Sequence, residues 1–114
     1  MSVERYRAEA TENVQALVDA GFSLIKVDYE RGYGQDEGAD FVTANGVKES
    51  VDAVLAVDDA HLYIKTPSGD SVWVYFVLGN SDGEVVNDWS IPADRDEAEL
   101  IDNILSEIAD RRMA

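Results

Sequence analysis

Along residues 3–20 the apolar positions Val3, Tyr6, Ala10, Val14, Leu17 and Val18 recur at steps of three and four, the spacing of one helix face. Arg5, Glu9, Glu12 and Asp19 fall on the other side, so the segment predicts an amphipathic helix with a wet, charged flank. Gly21 follows as its C-terminal cap. Over residues 22–29 the period shortens to two. Phe22, Leu24 and Lys26 share one face of a predicted strand, and Ser23, Ile25, Val27 and Tyr29 the other. Residues 30–40 bring three glycines and four acids and read as a loop or a loose hairpin tip, with Phe41-Val42-Thr43 as a short return strand. Asn45-Gly46 is a hairpin signal. Val47, Val51, Val54 and Leu55 nevertheless stand at helical spacing, and a helix over 47–57 is the preferred reading. Whether residues 42–47 form a hairpin or a helix entry stays open.

The second half reads as a meander over 61–66, 71–79 and 84–90, with turns at Pro67-Ser68-Gly69-Asp70 and Asn80-Ser81-Asp82-Gly83. In the middle strand Val72, Val74, Phe76 and Leu78 alternate with Trp73, Tyr75 and Val77, so both faces are apolar, as expected of a strand covered on both sides. Tyr63, Trp73 and Tyr75, together with Trp89, are expected on one face under a layer of helix. If that face is bare, it is an aromatic interface for a protein partner or a homodimer. A last helix over 95–112 carries Leu100, Ile101, Ile104, Leu105 and Ile108 as its stripe. Asp94 or Asp96 is its cap, acids crowd its first turn, and Arg111 and Arg112 close its last. The pattern predicts one α+β domain over 1–114: a mostly antiparallel sheet (the meander plus strand 22–29) with helices over 3–20, 47–57 and 95–112.

Composition changes this picture in one respect. The 114 residues are 46% apolar, which is ordinary, but 24 acids face 9 bases, for a net charge of −15. Direct binding of nucleic acid through phosphates is excluded by that balance, and docking on an anionic membrane is disfavoured. The longest apolar run, 72–78, is too short to span a bilayer, and the first residues lack the pattern of a secretory signal, so a cytoplasmic protein is expected.

Little in the chain points to catalysis. There is no cysteine, which removes disulfides, thiolate metal sites and thiol nucleophiles. His61 is the single histidine; Ser68 or Ser71 could approach it across the hairpin, but a partly exposed strand histidine is the simpler reading. Residues 80–84 lack the alternating oxygens of a calcium loop, and Gly32-Tyr33-Gly34 lacks the spacing of a phosphate cradle. Asp36, Glu37 and Asp40, or Asp58 and Asp59, could hold a hard cation, yet neighbouring loop acids are usually just solvated. We therefore expect no enzyme, no cofactor and no metal site.

The acids themselves are the distinctive feature. Carboxylates three or four apart on a helix stand about 5–6 Å apart at their Cβ atoms, close to the phosphate spacing of a nucleic-acid strand. Glu99, Asp102, Glu107 and Asp110 occupy the wet side of the last helix, Glu4, Glu9, Glu12 and Asp19 that of the first, and Glu30, Asp36, Glu37 and Asp40 the glycine-rich loop. Such a surface suits the basic cleft of a nuclease or other nucleic-acid-binding protein. The plainer alternative is that charge serves solvation, including solvation in a salt-rich cytoplasm, in a structural or oligomerising module.

The stretch Ala60-His61-Leu62-Tyr63-Ile64-Lys65, the Gly-Asp turn, Val72-Trp73-Val74-Tyr75-Phe76-Val77-Leu78-Gly79-Asn80 and Glu84-Val85-Val86-Asn87-Asp88-Trp89 resembles small, mostly uncharacterised proteins of bacteriophages and prophages. Val51-Asp52-Ala53-Val54-Leu55 fits the same pattern, and the resemblance covers residues 46–89. It implies no catalytic residues. It implies a host-directed accessory protein, a group in which acidic decoys and inhibitors of nucleic-acid enzymes are frequent. The leading expectation is a non-enzymatic binding protein whose partner-binding acids are those of the last helix and of the 30–40 loop.

Overall fold

The computed structural model describes residues 3–28, 41–43, 46–56, 59–78 and 85–113. The elements run α1 (Val3–Asp19), β1 (Ser23–Asp28), β2 (Phe41–Thr43), α2 (Val47–Leu55), β3 (Asp59–Lys65), β4 (Ser71–Val77), β5 (Val86–Trp89) and α3 (Arg95–Met113). The strands form one antiparallel sheet in the order β2-β1-β3-β4-β5. The α+β reading therefore holds, as do the three helices, the meander and the short return strand. Residues 44–45 lie outside the described residues; β2 precedes them and α2 begins at Val47.

Two helix ends have local causes. α1 stops at Gly21, whose φ of 102° is open to glycine and strained for other residues. Its N–H donates to the Val18 carbonyl and that of Phe22 to the Leu17 carbonyl, the paired bonds of a Schellman cap. At the other end of the chain the Asp94 carboxylate accepts the Glu97 N–H at 3.0 Å, which makes Asp94 the cap of α3.

One apolar cluster joins all three helices to one face of the sheet. Ala10, Val14 and Leu17 of α1, Val51 and Val54 of α2, and Ile101 and Leu105 of α3 meet Val27, Leu62, Ile64, Val74 and Phe76, all buried. The expectation that helices cover both faces of β4 is thus corrected. Val72, Val74 and Phe76 are buried, whereas Trp73, Tyr75 and Val77 are only partly covered. Three helices on one side make a two-layer domain, and the apolar residues on the outer side of β4 pack against neighbouring strands instead.

Two register shifts decide which side chains share that outer face. Between β1 and β3 the pairing steps from Leu24↔Ile64 to Lys26↔Tyr63, leaving Ile25 as the extra residue of a bulge. Strict alternation puts Leu24 and Lys26 together; the bulge instead gives Leu24 and Val27 to the core and Lys26 and Asp28 to the outer face. The second shift lies between Tyr75↔Asp88 and Phe76↔Val86. It sets Trp89 opposite Val74, on the core side, so Trp89 is not part of the outer aromatic group.

Candidate functional site

Two surfaces stand out, one on each side of the sheet. The first is the outward flank of α3. Glu99, Asp102, Glu107 and Asp110 are all exposed, and together they span about 16 Å of helix. Among the described residues none of the four side chains makes a hydrogen bond or an ion pair. Other acids are used inside the fold. Asp52 of α2 takes Arg7 at 2.6 Å and Lys48 at 3.1 Å. Glu12 of α1 takes Arg111 at 2.5 Å and Arg112 at 2.8 Å, which ties α1 to α3. Glu97 accepts the Ser68 N–H at 2.9 Å and its hydroxyl at 2.8 Å, and Asp70 accepts the Ala93 N–H at 2.9 Å. These bonds clasp the β3–β4 turn to the start of α3.

Glu9 needs a correction. Its spacing puts it on the wet side of α1, but it is buried, 2% exposed, with Oε2 accepting the Val85 N–H at 2.9 Å. A free backbone donor at the entrance to β5 has drawn the carboxylate inward. The acids of the 30–40 loop assigned to partner binding, Glu30, Asp36, Glu37 and Asp40, lie outside the described residues, as does Asp58.

Two carboxyls have shifted pKa values. For Glu12, partial burial acts to raise it, but the hydrogen bonds and charges of Arg112 and Arg111 outweigh this and hold it below the ordinary 4.5. For Asp52, hydrogen bonds from Arg7 and Lys48 hold it below the ordinary 3.8.

The second surface is the outer face of the sheet. His61, Tyr63, Trp73 and Tyr75 sit there as neighbours in the ladder, with His61↔Tyr75 and Tyr63↔Trp73 directly paired. The His61 ring stacks on Tyr75 at 4.4 Å and meets Trp73 edge-on at 4.9 Å. Lys26 Nζ lies 5.1 Å from the Tyr63 ring centre, within cation–π reach. The Tyr75 hydroxyl donates to Asp59 Oδ2 at 2.7 Å. The structure therefore brings Tyr63, Trp73 and Tyr75 together as one patch. Sequence reasoning did not place Lys26 and Asp28 beside it, because the bulge at Ile25 leaves no mark in the alternation, and it weighed Asp59 only as a cation ligand with Asp58.

The approach of a serine to His61 is also corrected. Ser71 pairs with Lys65, four strand residues or about 13 Å from His61 along β3, and Ser68 is bonded to Glu97. Among the described residues no three His, Asp or Glu side chains gather as metal ligands, and no helix is long and apolar enough to cross a membrane. A scan against protein-family models, a search of curated proteins and a search of solved structures found no match to the chain.

Proposed function

We propose that this chain is a non-enzymatic binding protein that engages a basic, nucleic-acid-binding protein partner through the outward flank of α3 and blocks it by charge competition. The supporting observation is the division among the acids. Glu9, Glu12, Asp52, Asp70, Asp94 and Glu97 are held by donors within the fold, whereas the side chains of the four α3-flank acids have no partner among the described residues. Like charges three or four apart cost an isolated helix about 0.2–0.5 kcal/mol per pair. Glu99 with Asp102, and Glu107 with Asp110, stand at that spacing, and among the described residues no cation bridges either pair. A basic cleft would supply the missing counter-charge and would be reached quickly through electrostatic steering. A phage-encoded inhibitor of a nuclease is one setting for this physics.

The test is retention of partners from a lysate on the immobilised chain at low and high salt, followed by competition with duplex DNA. A basic protein lost at high salt and displaced by DNA is the expected result. Asp102→Asn with Glu107→Gln should abolish retention while leaving the fold intact. Retention that is unchanged in this double variant would sink the assignment. A second reading, favoured by the aromatic patch, is an oligomerising α+β module whose acidity serves solvation; there, neutralising the α3 acids weakens no association.

A further inference from the structure

We infer that the outer sheet face binds a second copy of this chain, face to face, about a two-fold axis lying in the plane of the interface and perpendicular to the strands. This goes beyond the α3 reading and concerns the opposite side of the sheet.

The argument comes from the order of charges along the strands. The ladder arranges the face in successive rows. Lys65 stands in the first, between Ser23 and Ser71. Lys26, Tyr63 and Trp73 form the second. Asp28, His61, Tyr75 and Asp88 form the third, and Asp59 lies in the fourth, opposite Val77. Two of the chain's three lysines therefore lie in the first two rows of this face and three aspartates in the last two, with the four rings in the two central rows.

A rotation about the stated axis reverses the rows but keeps each strand over its own copy. Row one then meets row four, and row two meets row three. Lys65 faces Asp59 of the second copy, both on β3. Lys26 faces Asp28, both on β1. Tyr63 comes over His61 on β3, and Trp73 over Tyr75 on β4. Each positive position meets a negative one, and each ring of the two central rows meets a ring. This is the self-complementarity that an isologous interface requires. Two sheets packed face to face stand about 10 Å apart, which suits partly exposed aromatic side chains in the middle of the interface.

Net charge favours this face over the rest of the surface. A copy carrying −15 repels another over most approaches. Among its described residues the outer sheet face carries two lysines against three aspartates, so two copies meet there against less repulsion than at the acidic flank of α3. Lys26 resting over Tyr63 shows that rings here already receive a cation.

The test is sedimentation equilibrium of the full chain, with two charge reversals. The wild-type chain is expected to reach twice the chain mass as concentration rises. Lys65→Glu sets like charges together at both ends of the interface, and so does Asp59→Lys. Each alone should raise the dimer Kd at least roughly tenfold. Mixing the two variants should restore a dimer, since the new carboxylate at position 65 then meets the new ammonium at position 59, and this rescue also shows that both variants fold. Asp102→Asn with Glu107→Gln should not weaken the dimer. A wild-type chain that stays at single mass throughout, a dimer indifferent to either reversal, or a mixture that remains monomeric would each overturn the inference. So would binding of an arginine-rich peptide to the Trp73 face of a persistently monomeric chain.

Discussion

The outward flank of α3 and the outer face of the sheet are both rich in charge, yet they are built on opposite rules. On α3 the charges have one sign, stand in water and touch nothing else in the described fold. On the sheet the charges have both signs, are sorted along the strands and lie against rings. A surface of one sign repels its own copy and recognises only its opposite. A surface sorted into a positive and a negative end complements itself on rotation. Acidity counted over the whole chain hides this distinction, because −15 is a sum and recognition depends on arrangement.

The strongest way to break the comparison is to remove what supports both surfaces. Leu62 lies on β3 between the rows of His61 and Tyr63 and is fully buried beneath them. Leu62→Ala should lower stability by about 2–5 kcal/mol, read as a drop in the urea midpoint at constant slope. Both surfaces should fail together. Next in size is Trp73→Ala, which removes one ring of the sheet patch. It should raise the dimer Kd by about tenfold or more while leaving salt-sensitive partner retention by α3 intact. Loss of both activities would mean that the two surfaces are one.

Smaller effects sharpen the contrast between acids with and without partners. The carboxyls of Glu12 and Asp52 are held below their ordinary values of 4.5 and 3.8. A depressed folded value means the folded state favours the charged form. Their contribution is therefore present in full above the ordinary values and lost as pH falls through the depressed ones. Glu12→Gln should flatten that acid limb of the stability profile and cost at most about 1 kcal/mol at neutral pH. The smallest expected effect has the opposite sign. Asp102→Asn with Glu107→Gln relieves repulsion along α3 and should raise stability by a few tenths of a kcal/mol, to about 0.5. Loss of partner binding combined with gain of stability would distinguish a binding surface from a structural one.

The helices, the β3–β4 hairpin and a cap at Asp94 or Asp96, which the structure assigns to Asp94, were legible because each is set by neighbours in the chain. Leu100 to Ile108 repeat at helical spacing within one segment, and Pro67 to Asp70 carry their own turn chemistry. What could not be read depends on distant partners. The bulge at Ile25 arises where β1 meets β3, and it reverses the expected faces of Lys26 and Val27. Glu9 reads as a surface acid until its partner is known, a backbone N–H 76 residues further on. For the same reason the α3 acids were found at once, whereas the charge order on the sheet appears only with the register.

The ties between the first helix and the end of the chain bear on how the protein is made. α1 is synthesised early, but the donor for Glu9 is at Val85 and those for Glu12 are at Arg111 and Arg112. At roughly 5–20 residues per second, ribosomes need about 5–20 s to supply the last of these partners. During that interval Val14 and Leu17 have no complete core to enter. The native packing of the first helix is therefore a late event in the life of the nascent chain, and a ribosome stalled before α3 should hold a chain whose first helix is open to protease.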